Sequence, residues 1–233
     1  MASWAHDGCP PAPFSDADAV AGYAERARRN VPGYDSLVAM TRILLAERVP
    51  ADGLVLVVGA GGGVELEDFA RAHAGWRFDG VDPSRPMLDL AAQRLGPLSS
   101  RATLHEGFVQ DAPTGPFDGA SCLLTFHFVP REERVPMAAE IRRRLKPGAP
   151  FVTAHLSIAD GSGERDAWMG RYAAFLEASG VDPRHAAAGR EKVQRELPIL
   201  TPAQDEAMLR EAGFNDVQLF YAAFAFRGWV ASA

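Results

Sequence analysis

From Leu54 onward the chain alternates short, nearly unbroken apolar runs with stretches whose apolar residues recur every three or four positions. The runs predict strands: Leu54–Val58, then "WRFDGVD", "RATLHEGFV", "DGASCLLTF" and "PFVTAHL". The spaced stretches predict helices. One carries Leu66, Phe69, Ala70 and His73 and stops near Gly75; the next is "RPMLDLAAQRL"; a third, "REERVPMAAEIRRRL", is closed at Lys146–Gly148. Strands that are apolar along their whole length are buried on both faces. The rhythm therefore predicts a mostly parallel sheet with helices on both sides.

The flanks depart from this rhythm. Residues 1–14 are rich in proline and read as a loose segment ahead of a single domain, 15–233. Within that domain 15–49 predicts two helices broken at Pro32-Gly33, one spaced on Val20, Tyr23, Ala24 and Ala27, the other on Leu37, Met40, Leu44 and Leu45. Residues 157–200 read as an inserted helical lid, two helices joined around Gly180–Pro183. Thr201-Pro202-Ala203-Gln204 has the form of a capping box with proline at the first helical position. "DVQLFYAAFAFRGWVASA" then reads as a terminal hairpin, which sets one antiparallel strand among the parallel ones.

Composition narrows the partners. A length of 233 residues with 47% hydrophobic and 23% charged residues suits one sizeable core. A net charge of −6 disfavours nucleic acid as the main partner, since a phosphate backbone asks for a basic face. No apolar run reaches the ~20 residues a bilayer requires, and the N-terminus lacks the basic start and apolar core of a signal peptide, so no membrane partner and a cytoplasmic location are expected. The two cysteines, Cys9 and Cys122, form neither a disulfide framework nor a metal-ligand spacing.

The strongest chemical signal is "LVLVVGAGGGVEL", a strand running into five residues of which four are glycine. A phosphate-binding P-loop would follow its last glycine with lysine; here Val64-Glu65 follow Gly63, which excludes it. The dinucleotide fingerprint G-x-G-x-x-G would need glycine at position 64, and valine stands there. Asp82 lies 23 residues after Gly59 at the end of the second strand, where a carboxylate accepts ribose hydroxyls. It could equally cap the following helix. Phe108 and Val109, read as the end of the third strand, could flank an adenine or simply belong to the core. Glu65 is explained by the affinity of a helix N-terminus for an acid. A glycine platform, a ribose acceptor and an adenine slot suit adenosine with an amino-acid tail.

These features, with "VDPS", "GFVQD", "FDGASCLLTFHFV" and "LKPGAPFV", resemble the class I S-adenosylmethionine-dependent methyltransferases. The resemblance implies a Rossmann-like sheet of seven strands with the last antiparallel. It implies that Gly59, Ala60, Gly61 and Gly63 cradle the methionine tail and that Asp82 holds the ribose. Pro83, Met87, Phe108, Val109, Leu123 and Thr125 would complete the cofactor contacts. The chain departs from the family at Val57, where an acid is usual, and at Phe108, where an acid is frequent. Over most of the chain, "RNVPGYDSLVAM", "LLTFHFVPREER", "MGRYAAFLEASG" and "LREAGFNDVQLFYAAFAF" are similar to the carboxy-S-adenosylmethionine synthases. That likeness implies a homodimer, a cofactor contact at Tyr34, and a lid cation for an extra carboxylate, Arg190 or Lys192. Leu123 replaces that family's cofactor-contacting asparagine.

Methyl transfer from a sulfonium to a small molecule is in-line displacement, with a base needed only for a protonated acceptor. His127, after the fourth strand, is either that base or a merely hydrogen-bonded histidine; His155 is a second candidate. Tyr172 and Trp168 could shape an acceptor pocket or lie in the core. Three functions stay open: a methyltransferase that turns S-adenosylmethionine into S-adenosylhomocysteine, a carboxy-S-adenosylmethionine synthase-like enzyme, and a non-catalytic cofactor-binding module.

Overall fold

The computed structural model describes residue 14, residues 20–161 and residues 163–233. The expected loose segment 1–14 lies outside them except for Phe14, as do Cys9 and the predicted helix start at 15–19. Two helices come first, α1 (Tyr23–Asn30) and α2 (Tyr34–Ala46). There follow β1 (Leu54–Val58), α3 (Val64–Ala72), β2 (Arg77–Asp82), α4 (Arg85–Leu95), β3 (Ala102–Glu106), β4 (Gly119–Leu123), α5 (Arg131–Arg143) and β5 (Pro150–Leu156). The segment expected to form a lid comprises α6 (Glu164–Ala178) and α7 (Pro183–Glu196), and α8 (Pro202–Glu211), β6 (Asn215–Ala223) and β7 (Phe226–Ser232) end the chain. Among the described residues no helix is long and apolar enough to cross a membrane.

The seven strands are ordered β3-β2-β1-β4-β5-β7-β6. β1 to β5 pair in parallel, and β7 lies antiparallel between β5 and β6. This is the Rossmann-like sheet with a terminal hairpin that the resemblance implied. Side-chain alternation divides the interior into two layers. Val55 and Val57 of β1 join a core built with α1 to α4 and with Met169, Tyr172 and Leu176 of the lid. Leu56 and Val58 face the other way, against Met137 and Ile141 of α5 and Leu209 of α8. Because β2 and β4 flank β1 on opposite sides, the chain leaves β1 in one direction and returns in the other. A crevice opens at that reversal, outside the carboxyl ends of the strands.

Local chemistry fixes several boundaries. Thr201 Oγ1 accepts from Gln204 N–H and Gln204 Oε1 accepts from Thr201 N–H, the capping box read from the sequence. The helix after β2 is capped not by Asp82 but by Ser84, whose Oγ accepts from Met87 N–H at 3.3 Å. One expected boundary is wrong: β3 ends at Glu106, so Phe108 and Val109 are outside the strand. Gly107 turns the chain at φ 145°, and the Asp111 carboxylate accepts from Phe108 N–H at 2.8 Å, which starts a short 3-10 turn.

Gly63 is the glycine that packs α3 on its neighbour. It sits at φ 74°, and a Cβ there would come 2.8 Å from both Cα and Cβ of Ala91 in α4. Gly63→Ala is expected to cost about 2–4 kcal/mol of stability through left-handed strain and overpacking, measured by urea denaturation.

Candidate functional site

The crevice holds a cavity of about 320 Å³, at the lower end of the range for small-molecule sites. Four strand ends contribute to it. From β1 come Val58 and the turn residues Gly59 and Gly61; from β2, Asp82, Pro83 and Ser84; after β3, Phe108 and Val109; after β4, Leu123 to Thr125. Met87 of α4 closes one side. Nine of the residues expected to bind a cofactor thus share one cavity: Gly59, Gly61, Asp82, Pro83, Met87, Phe108, Val109, Leu123 and Thr125.

The glycine turn needs its glycines for different reasons. Gly59 has φ 71°, and a Cβ would meet Thr125 Oγ1 at 2.1 Å, so only glycine lets the two turns close on one another. Gly59 N–H and Ala60 N–H both donate to Val81 O, at 2.9 and 3.0 Å. Gly61 N–H donates to Asp82 Oδ2 at 2.9 Å, and Ser84 N–H donates to Oδ1 at the same distance. One carboxylate thereby joins the turns after β1 and β2, while its remaining lone pairs can still accept. Burial pushes the Asp82 pKa up to about 6, against the opposing pull of those two N–H groups.

A smaller recess adjoins the cavity beneath the N-terminal helices. Tyr23, Tyr34, Ala60, Gly62 and Glu65 line it together with Gly59 and Gly61. Tyr34 is buried at the start of α2, and burial raises its phenol pKa. Glu65 is 6% exposed and its Oε1 has no hydrogen-bond partner. Burial first, and Asp82 second, push its pKa up to about 8. The helix N-terminus explains an acid here but not its burial. Gly63 lines neither space and serves packing.

The other candidates lie elsewhere. His127 does not line the cavity. Its Nδ1 accepts from the backbone N–H of Leu156 in β5 at 3.3 Å, and burial holds the imidazole pKa well below its usual value. His155 is fully buried with Nε2 3.1 Å from Asp205, which also lies 3.5 Å from Arg134. Tyr172 is buried in the lid, its ring edge-on to Phe226, and burial pushes its pKa up to about 12. Arg190 faces an open groove between α6 and α7, 3.6 Å from Asp166. Lys192 lies near Glu196 on the same helix, and Trp168 carries the guanidinium of Arg171 at 4.4 Å.

Sequence reasoning missed Phe14, Tyr23, Leu124, Phe128 and Met137, which also line the cavity. Tyr23 and Met137 read as core spacing in helices, and Phe14 stands in a segment without periodicity. Leu124 adopts φ 57°, which no pattern announces for leucine.

Comparison with known proteins agrees with this geometry. A family profile described as "Methyltransferase domain" matches residues 55–148. The carboxy-S-adenosyl-L-methionine synthase of Glaesserella parasuis is 24% identical over 209 residues, 88% of this chain and 86% of that protein. That of Chromohalobacter salexigens is 26% identical over 221 residues, 93% of this chain and 82% of its own length. Among solved structures, phosphoethanolamine N-methyltransferase 2 of Haemonchus contortus, in complex with S-adenosyl-L-methionine, superposes with a TM-score of 0.67 at 14% identity. The match covers 93% of this chain and 57% of that one, so the present chain spans little more than half its length.

His127→Ala would leave the Leu156 N–H unpaired and open a void. A loss of about 2–4 kcal/mol in chemical denaturation is expected. Residues 55–148 match a methyltransferase-domain profile, and the chain shares the fold of solved S-adenosylmethionine-dependent methyltransferases.

Proposed function

We propose that this protein transfers a methyl group from S-adenosylmethionine to a small-molecule acceptor. The observation that carries the reading is the Asp82 carboxylate, buried at the carboxyl end of β2 and fixed by two backbone N–H groups beside the glycine turn. The residues fit the cofactor. A platform of positive-φ glycines lets backbone approach closely, no lysine or arginine lines the cavity among the described residues, and the rest of the lining is mainly apolar. That is a site for a nucleoside without phosphates.

In this reading Gly59, Ala60 and Gly61 hold the amino-acid tail, and Asp82 accepts from the ribose hydroxyls. Pro83, Met87, Phe108 and Val109 enclose the adenine, Leu123 and Thr125 border the sulfonium, and Tyr34 closes the site from α2. The bound cofactor supplies an activated methyl on a sulfonium. The chain's contribution is positioning and the exclusion of water, for which a largely apolar cavity is suited. His127, held by the β5 backbone, has a structural role. On the likeness to the carboxy-S-adenosylmethionine synthases stated above, the protein works as a homodimer.

A second reading, a carboxy-S-adenosylmethionine synthase-like activity, is favoured by the names of the curated relatives. It requires a cation for the added carboxylate, and Arg190 would have to leave Asp166 and the α6–α7 groove to provide one. Mass spectrometry of the co-purifying ligand separates the two: a carboxylated adduct would sink the methyltransferase reading. Calorimetry with S-adenosylhomocysteine tests the site, and Asp82→Ala is expected to weaken binding roughly tenfold or more. Affinity for 5′-methylthioadenosine, which has the ribose but no amino-acid tail, should fall as pH drops through about 6. There Asp82 takes up a proton and loses acceptor capacity.

A further inference from the structure

The recess beneath α1 and α2 contains a carboxylate without a counter-ion. Glu65 is only 6% exposed, and its Oε1 finds neither an N–H nor an O–H donor. Among the described residues no arginine or lysine pairs with it. Arg94, a basic side chain of this region, donates to Gly62 O at 2.8 Å and pairs with Glu67 at 3.2 Å. Strand β1 offers no acid, since Val57 is fully buried in the core. A carboxyl group sealed from water without a partner is costly, and it is retained where a ligand completes it.

Position tells what that ligand group must be. The recess shares Gly59 and Gly61 with the main cavity, so a molecule whose ribose reaches Asp82 can extend past the glycine turn toward Glu65. The far end of such a molecule meets one carboxylate, two phenols and backbone, with the apolar side chains of Val64, Leu123 and Leu124 beside them. This set accepts hydrogen bonds and attracts positive charge; it would repel a phosphate or a second carboxylate. We infer that Glu65 is the counter-ion for the ammonium group of the bound nucleoside's amino-acid tail, an assignment that rests on the S-adenosylmethionine reading above. Tyr23 and Tyr34, from the two helices over the recess, border the same group, and the charge of Asp82 acts on Glu65 from the main cavity. In the free protein, burial keeps Glu65 protonated near neutral pH, and an arriving ammonium favours its ionised form.

The assignment predicts opposite effects on stability and on binding, which a merely structural glutamate would not give. Burial pushes the Glu65 pKa from the ordinary glutamate value of 4.5 up to about 8, so it destabilises the free protein increasingly as pH rises from about 4.5 to about 8. Glu65→Gln should therefore raise the melting temperature of the apoprotein at pH 8. By calorimetry the same variant should bind S-adenosylhomocysteine roughly 10–100-fold more weakly than the wild type. It should bind the desamino analogue, with hydrogen in place of the amino group, as well as the wild type does. Glu65→Leu, which removes the polar group altogether, guards against a folding defect peculiar to the amide and should show the same pattern. Equal affinity of wild type and both variants for S-adenosylhomocysteine would overturn the assignment while leaving the cofactor reading intact. A parallel loss for the desamino analogue would overturn it as well, by making the role structural. A wild-type protein that binds neither ligand would refute the cofactor reading itself, and this inference with it.

Discussion

The Asp82 carboxylate is the point on which the site depends. Its two oxygens take the N–H groups of Gly61 and Ser84, and the preceding residue, Val81, takes those of Gly59 and Ala60. Four backbone donors from the turns after β1 and β2 are thus satisfied by two adjacent residues at one strand end. Without that exchange the glycine turn would present unpaired N–H groups in a buried place, an arrangement folded proteins avoid. The turn after β4 then closes on Gly59 so tightly that no side chain fits between it and Thr125. The cavity follows from these contacts: its floor is backbone, and its walls are apolar side chains projected from successive strand ends.

Buried acids give the site its electrostatic character. Asp82 is held by N–H donors that favour its charge, whereas Glu65 has none at Oε1, and burial raises both. Arginines elsewhere are spent on structure. Arg134 is fully buried and donates to Val129 O and Pro198 O, and Arg144 donates to Gln110 O and Ala112 O. These contacts tie α5 to the loops around it. They leave the crevice with acids and phenols and, among the described residues, no lining cation, a balance suited to a cationic nucleoside and unsuited to phosphates.

The lid illustrates how a predicted insertion differs from a predicted gate. Two helices around Gly180–Pro183 were expected and are present, with Asp182 capping α7 through Arg184 N–H. Yet Met169, Tyr172 and Leu176 lie in the same core as β1 and α2, so α6 is anchored to the domain rather than standing free. The residues in it that looked available for a substrate are occupied otherwise: Tyr172 against Phe226, and Arg190 with Asp166.

Much of this protein is legible in its sequence because periodicity and turn chemistry are local. Apolar runs gave the parallel strands, the Thr201–Gln204 box gave a helix start, and the hairpin gave the antiparallel strand. The glycines after β1 and the acid after β2 marked the crevice, since strand ends are where such folds place ligands. Side-chain direction and long-range pairing were not legible. His127 could be read as a base or as a hydrogen-bonded histidine, and it is tertiary contact that aims its ring at the β5 backbone. Glu65 looked like an ordinary helix-opening acid, but the two helices that precede β1 cover it. The residue alphabet sets which element forms, through short-range sterics and the separation of apolar from polar faces. Which polar atom is left without a partner depends on every segment that packs around it, and only the folded chain decides that.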